Sequence, residues 1–217
     1  QTTGYVTLGT VASASDSAWT TLTVTAAAGY RYLRYRGPAN SFCNVAEIEF
    51  HGTVGVDGGT SFAANINFQP LGASAVSGYL IDGGETFAAR NGQAYGWNAS
   101  VADATRDRNL LDDQLRDTLV HLQKPNVPDA IWEIAVPNGI YAVYAVAGDP
   151  GHFDGKYHIV AENLSVLQGT PSTTQRFVTG TVTVTVSDGR LTIRSGAGAS
   201  NNKLNYLEII KVPSANQ

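Results

Sequence analysis

Apolar and polar residues alternate with a period of two over much of the chain, the mark of strands that bury one face. Near the N-terminus the alternation runs through Thr21-Leu22-Thr23-Val24-Thr25, through part of Tyr30 to Tyr35, and again from Val45 to Phe50. Farther on, Trp132, Ile134 and Val136 alternate with Glu133 and Ala135, Pro137-Asn138-Gly139 marks a turn, and Ile140 through Val146 resumes as an apolar strand. This predicts a hairpin inside a core, with Trp132 buried. Val182, Val184 and Val186 face one way between threonines, Ser187-Asp188-Gly189 supplies a tight turn, and Leu191 and Ile193 return, which predicts a second hairpin. From Lys203 to Lys211 the phase slips, with Leu204 and Tyr206 in one register and Leu207 and Ile209 in the other, so a bulge or burial on both faces is expected. A helix-like spacing is confined to Asn109 through Arg116.

The segment 53–63 is small and glycine-rich, which makes it the best linker. A boundary near residue 58 divides the chain into an N-terminal β segment, 1–57, and a larger body, 58–217. The polar stretches 69–117, 147–158, 168–176 and 195–203 are expected to be loops, where a rigid sandwich usually carries its binding residues. The predicted fold class is all-β. Segment 1–52 is expected to add strands without folding by itself, since it has too little apolar surface for a separate core.

Composition supports a turn-rich globular protein: 43% of the 217 residues are apolar, 15% are charged and 23 are glycine. A formal charge of -4 leaves no excess of cations to neutralise phosphates, which argues against nucleic acid and anionic membrane surfaces as partners. No apolar run approaches the ~20 residues that a helix needs to span a bilayer. The single cysteine, Cys43, cannot form an internal disulfide and reads as a small buried hydrophobe. The chain begins at Gln1 and contains no methionine, so it is expected to come by processing or excision from a longer polypeptide.

Enzyme chemistry finds few footholds. There is no Gly-x-Ser-x-Gly elbow, no His-Glu-x-x-His and no phosphate loop. Of the four histidines, His51 and His121 lie in strand-like text and are expected to be structural. Asp149, His152, Asp154 and His158 bring two carboxylates and two imidazoles within ten residues, but their spacing matches no metal template. Asp103, Asp107, Asp112, Asp113 and Asp117 alternate with Arg106, Arg108 and Arg116, as in a loop tied down by ion pairs. Calcium is the cofactor such oxygen ligands would suit, in a structural role, although no calcium-loop pattern is present. No cofactor is required by the sequence.

Two stretches resemble known families. Tyr30-Arg31-Tyr32-Leu33-Arg34-Tyr35, Gly37, and Asn44-Val45-Ala46-Glu47-Ile48-Glu49-Phe50-His51-Gly52 resemble the closing strands of discoidin (coagulation factor 5/8 type C) domains, over about residues 5–52. About residues 64–212 resemble the malectin-like, galactose-binding-like modules of extracellular bacterial proteins. That resemblance is carried by Asn65-Ile66-Asn67-Phe68-Gln69-Pro70, Gly78-Tyr79-Leu80-Ile81-Asp82, Tyr95-Gly96-Trp97-Asn98, Arg106-Asp107-Arg108-Asn109, Asp117-Thr118-Leu119-Val120-His121, Gly148-Asp149-Pro150, and Asn201-Asn202-Lys203-Leu204-Asn205-Tyr206. It implies a jelly-roll β-sandwich that binds sugars through loops at one end, often within large secreted carbohydrate-active enzymes or surface proteins.

A pyranose needs a flat ring against its C–H face and amides, carboxylates or guanidinium groups for its hydroxyls. Tyr95 and Trp97, in a loop bracketed by Gly92, Gly96 and Asn98, are candidates for the first role, with burial of Trp97 as the alternative. Arg90, Arg106, Asp149, His152, Asn201 and Asn202 are candidates for the second. The expected function is therefore a non-catalytic carbohydrate-binding module, secreted and monomeric, which holds a larger bacterial protein on a polysaccharide or oligosaccharide. The alternatives are an adhesive spacer that contacts protein, and a small hydrolase or lyase working through the His152 and His158 loop.

Overall fold

The computed structural model describes residues 7–11, 19–24, 35–37, 48 and 62–212. The chain falls into two compact units, Gln1–Asp57 together with Gln217, and Gly58–Asn216. In the first unit the described residues carry no helix or strand, including Leu22 and Val24. Apart from Tyr35 and Ile48, the other strands expected there, with Cys43 and His51, lie outside the described residues.

The second unit is a β-sandwich. One sheet has five strands in the order β11 (Phe177–Val186), β8 (Gly139–Gly148), β14 (Tyr206–Val212), β1 (Ala63–Phe68) and β2 (Leu80–Asp82). All its pairs are antiparallel except β1 with β2. The other sheet has six strands in the order β10 (Leu164–Gly169), β9 (Tyr157–Ala161), β12 (Arg190–Ser195), β7 (Ile131–Ala135), β4 (Gln93–Trp97) and β3 (Ala88–Arg90). A small third sheet, β13 (Lys203–Leu204), β6 (Thr118–His121) and β5 (Thr105–Asp107), is bonded to the body through Asn205, whose side-chain amide donates to the Thr118 carbonyl at 2.7 Å. Helix is limited, among the described residues, to α1 (Gln114–Asp117) and a 3₁₀ turn at Ala102–Ala104. The helix-like spacing from Asn109 thus yields one turn, because the Asp117 carboxylate collects the amides of Asn109, Leu110 and Leu111 into a loop instead.

The core follows from the alternation. Ile66 and Phe68 of β1, Tyr141, Val143 and Ala145 of β8, Val184 and Val186 of β11, and Leu207 and Ile209 of β14 share one buried cluster with Trp132, Ile134, Tyr157, Ile159, Leu191 and Ile193 of the opposite sheet. Each buried valine, leucine, isoleucine or phenylalanine among them contributes about 1.5–3 kcal/mol on leaving water. Phe68 packs edge-on to Trp97 and Trp132, with centroids 5.8 and 5.6 Å apart.

Both expected hairpins are corrected. β7 pairs with β4 and β12, while β8 pairs with β11 and β14, so Pro137-Asn138-Gly139 carries the chain from one sheet to the other. Ser187-Asp188-Gly189 makes the same crossing between β11 and β12. The two corners lie together, with the Val136 amide donating to the Gly189 carbonyl at 2.9 Å. Alternation reports which face is buried, and two strands that face each other across a core alternate just as neighbours in one sheet do. The stretch 69–117 is likewise more than loop, since it holds β2 to β5. Asn91 and Gly92, both at positive φ (52° and 79°), close a true two-residue hairpin between β3 and β4. The phase slip after Lys203 proves to be a strand change: residues 202–207 are all buried, and Asn205 separates β13 from β14.

Candidate functional site

The eight residues expected to touch sugar fall into two groups. Tyr95, Trp97 and Arg90 belong to the β3–β4 hairpin, and their aromatic rings point inward. Trp97 is 1% exposed; its indole N–H donates to Asp82 Oδ1 at 2.7 Å, and that of Trp132 donates to Oδ2 at 2.8 Å. The Gly84 amide adds a third bond to the same carboxylate, at 2.8 Å. Burial pushes the Asp82 carboxyl above its ordinary range, and these three donors oppose that rise. Tyr95 is buried as well, with its hydroxyl donating to the Ile81 carbonyl at 2.8 Å. Arg90 lies 4.9 Å from the Tyr95 ring centre and donates to the carbonyls of Tyr95 and Thr86. This is a closed structural clamp, so Tyr95 and Trp97 offer no ring to a ligand. Gly96 completes it: at φ 138° a side chain would meet the Glu85 carbonyl at 2.7 Å, where segment 85–87 bonds directly to Trp97.

Asp149, His152 and Asn201 gather at one end of the sandwich, with Arg108, Lys203 and Asp154, which were not among the expected sugar contacts. Asp149, fully buried just beyond β8, takes Arg108 in a two-pronged bond, Nε at 3.0 Å and Nη2 at 2.6 Å. Lys203 Nζ, also buried, stands 3.2 Å from Asp149 and 3.3 Å from Asp154. Asp149 Oδ1 further accepts the amides of Gly151 and His152, at 2.9 and 3.2 Å, which fixes the start of the loop. Burial alone would raise the Asp149 carboxyl, but Arg108, the Gly151 amide and Lys203 outweigh it and hold it below the usual carboxylate range. Asp154 is also held low, by Lys203 against a desolvation that would raise it. Beside them the Tyr157 hydroxyl is buried and has no hydrogen-bond partner among the described residues. Its acidity is suppressed by burial and by the charges of Asp149 and Asp154.

Three loops meet around this network. The 108–111 loop touches the 149–156 loop, since a side chain on Gly151 would lie 3.4 Å from Leu110 Cδ1. Lys156 and Ser200 bond backbone to backbone at 2.8 and 3.0 Å, joining the 149–156 and 196–203 loops. Leu110, Leu111 and Phe153 stand on the rim with 60%, 40% and 43% of their surface exposed. Asn201, at φ 47°, faces His121 Nδ1 through its Oδ1 at 3.1 Å. Burial, reinforced by Lys124, Lys203 and Arg106, lowers His121 to about 4, so its ring is neutral at neutral pH.

The remaining candidates are occupied. Asn202 is fully buried and ties together the backbone of His158 and the Ser195 hydroxyl, so it is a structural staple rather than a ligand contact. Arg106 donates to the carbonyls of Asp103 and Thr105. His158 Nδ1 faces the Ala197 carbonyl at 3.0 Å. Among the described residues no three His, Cys, Asp or Glu side chains converge as metal ligands. The acidic residues between 103 and 117 disperse, Asp113 to Arg116 and Asp117 to loop amides. Arg108 and Lys203 stood in the sequence only within the resemblance and, for Arg108, in the ion-paired loop; their pairing with Asp149, 41 residues or more away along the chain, carries no local signal.

No family model and no curated protein matches the chain. Among solved structures it is similar to the protein YXIM from Bacillus subtilis, at 20% identity over 70% of this chain and 40% of that one, with a TM-score of 0.49. The plant receptor-like kinase FER gives 13% identity over 70% of this chain and 42% of its own, with a TM-score of 0.47. A family 35 carbohydrate-binding module from Clostridium thermocellum gives 14% over 39% of this chain and 72% of its own, at 0.29. The chain thus spans less than half the length of the first two. None of these similarities identifies a ligand for this chain.

Proposed function

We propose that residues 62–212 act as a non-catalytic carbohydrate-binding module, and that it holds a larger secreted protein on a glycan. The observation that carries this reading is the loop end itself, where Leu110, Leu111 and Phe153 stand exposed around a fixed network of Arg108, Asp149, Lys203 and Asp154. A sugar is amphipathic: its C–H face needs an exposed apolar partner and its hydroxyls need donors and acceptors already held in place. The Tyr157 hydroxyl, without a hydrogen-bond partner among the described residues, adds one polar group beneath that rim.

The same electrostatics speak against hydrolysis. Glycoside cleavage by paired carboxyls needs one of them kept protonated as the acid. Here Asp149 and Asp154 are both held low by neighbouring cations, so neither stores a proton at neutral pH. The test is a glycan array, followed by electrophoresis of the whole chain through gels cast with different polysaccharides. Binding that weakens in Phe153→Ala at unchanged stability supports the reading. Release of reducing ends or unsaturated sugars by the chain would overturn it.

A further inference from the structure

We infer a second glycan contact on the outer face of the five-stranded sheet, which rests on the carbohydrate reading but uses none of the loop-end residues. Register places Tyr144 of β8 opposite Glu208 of β14, and Glu208 opposite Asn65 of β1, so all three side chains share one row on the face turned away from the core. Tyr79 extends the row past β1, its hydroxyl donating to Glu208 Oε1 at 2.5 Å. Tyr206, one rung along, supports both ends: its ring is 5.9 Å from Tyr79, edge to face, and 6.0 Å from Tyr144. Tyr79 and Tyr144 remain half-buried, so each leaves part of its ring open.

The row ends at a hollow of about 420 Å³ lined by Ala63, Ala64, Asn65, Gly78, Tyr79 and Leu80. That is the size of a small-ligand pocket. Asn65 Nδ2 donates to the Gly78 carbonyl at 3.3 Å, while its Oδ1 accepts from no described residue. Two part-open rings, a fixed carboxylate, an amide with a spare acceptor and a hollow at one end make an amphipathic strip across the sheet. Its charge selects the occupant. Glu208 is an acceptor already engaged by Tyr79, and Arg116, the cation beside Tyr206 and Tyr144, is paired with Asp113 at 2.6 Å. Among the described residues the row holds no cation besides the paired Arg116, so the strip fits a neutral polysaccharide laid across the strands, with pyranose faces on Tyr144 and Tyr79.

The experiment uses the full chain in gels cast with dextran, xylan, galactomannan or polygalacturonate, run beside Tyr144→Thr, Tyr79→Ala and Phe153→Ala. The sheet variants should weaken retardation by a neutral polymer by about three- to tenfold, as expected for loss of a stacked ring, with melting temperatures close to the parent's. Tyr144→Thr keeps a strand-forming residue, so a folding defect in Tyr79→Ala would not leave the face unexamined. Unchanged retardation of both folded sheet variants, with a loss in Phe153→Ala, overturns the second contact and keeps the loop-end reading. Retardation confined to polygalacturonate overturns the neutral-glycan assignment. A parent chain that none of the four polymers or an array of other glycans retains overturns both.

Discussion

Asp82 and Asp149 are both fully buried carboxylates, yet they do different work. Asp82 lies between the sheets and is satisfied by three neutral N–H donors, two of them tryptophan indoles. Asp149 lies at the loop end and is satisfied by two cations, one of which reaches on to the exposed Asp154. The first arrangement is closed, since every polar atom in it has a partner within the core. The second opens outward, with a hydroxyl under it that has no partner among the described residues and apolar side chains around it. An aromatic beside a carboxylate is therefore ambiguous in sequence: it can be a folding clamp or a recognition surface, and solvent access decides which.

The contrast is sharpest for Trp97. Truncation to alanine should cost about 3–5 kcal/mol of folding stability, because it removes a fully buried indole and leaves Asp82 short of a donor. Any glycan binding by the fraction that remains folded should be unaltered. A Trp97→Ala variant that melts like the parent but no longer binds would reverse the assignment. Asp82→Asn comes next: its amide must turn a donor toward one indole N–H, which should cost about 1–3 kcal/mol in urea unfolding. Unaltered stability would mean that the three-donor clamp contributes nothing.

These two carboxylates also show how far the sequence could be read. The strands around Trp132, Val143, Val184 and Ile209 announced themselves by alternation, and the all-β sandwich followed. Pairing was less legible, since Pro137-Asn138-Gly139 and Ser187-Asp188-Gly189 have the composition of hairpin turns and serve instead as corners between sheets. Tyr95 and Trp97 do alternate, two residues apart, and Asn91-Gly92 before them is a strong hairpin signal. Their place in a strand was available from the residues; the glycines around them suggested a loop. At the loop end, Asp149, His152 and Asn201 were legible as polar residues in polar stretches, whereas the burial of Lys203 depends on two carboxylates of the distant 149–156 loop.

Smaller effects probe the open end. His121 is lowered to about 4 in the folded chain against an ordinary value near 6.5. The unfolded chain therefore takes up its proton first as pH falls. The stability contributed by the neutral ring is present above about 6.5 and is lost progressively down to about 4. Allowing for partial solvent screening, the loss should be on the order of 1–2 kcal/mol. Melting curves between these limits should converge for the parent and His121→Gln as pH falls. Parallel curves would show that the imidazole does not titrate as its surroundings require.

Phe153 should have the smallest effect on stability and the clearest effect on binding. Its ring is 43% exposed on the 149–156 loop, whose start is fixed by Asp149 and whose end is bonded to Ser200. Removing the ring should therefore leave the loop where it is and change stability by less than about 0.5 kcal/mol. If the ring covers a sugar face, the same substitution should weaken binding by about three- to tenfold. Phe153→Tyr should retain most of the affinity, because the flat face is kept, whereas Phe153→Leu should not, although it is nearly as apolar. Equal affinities for the leucine and tyrosine variants would mean that general hydrophobicity, and not a stacked ring, is what the loop end offers, as an adhesive surface for protein would.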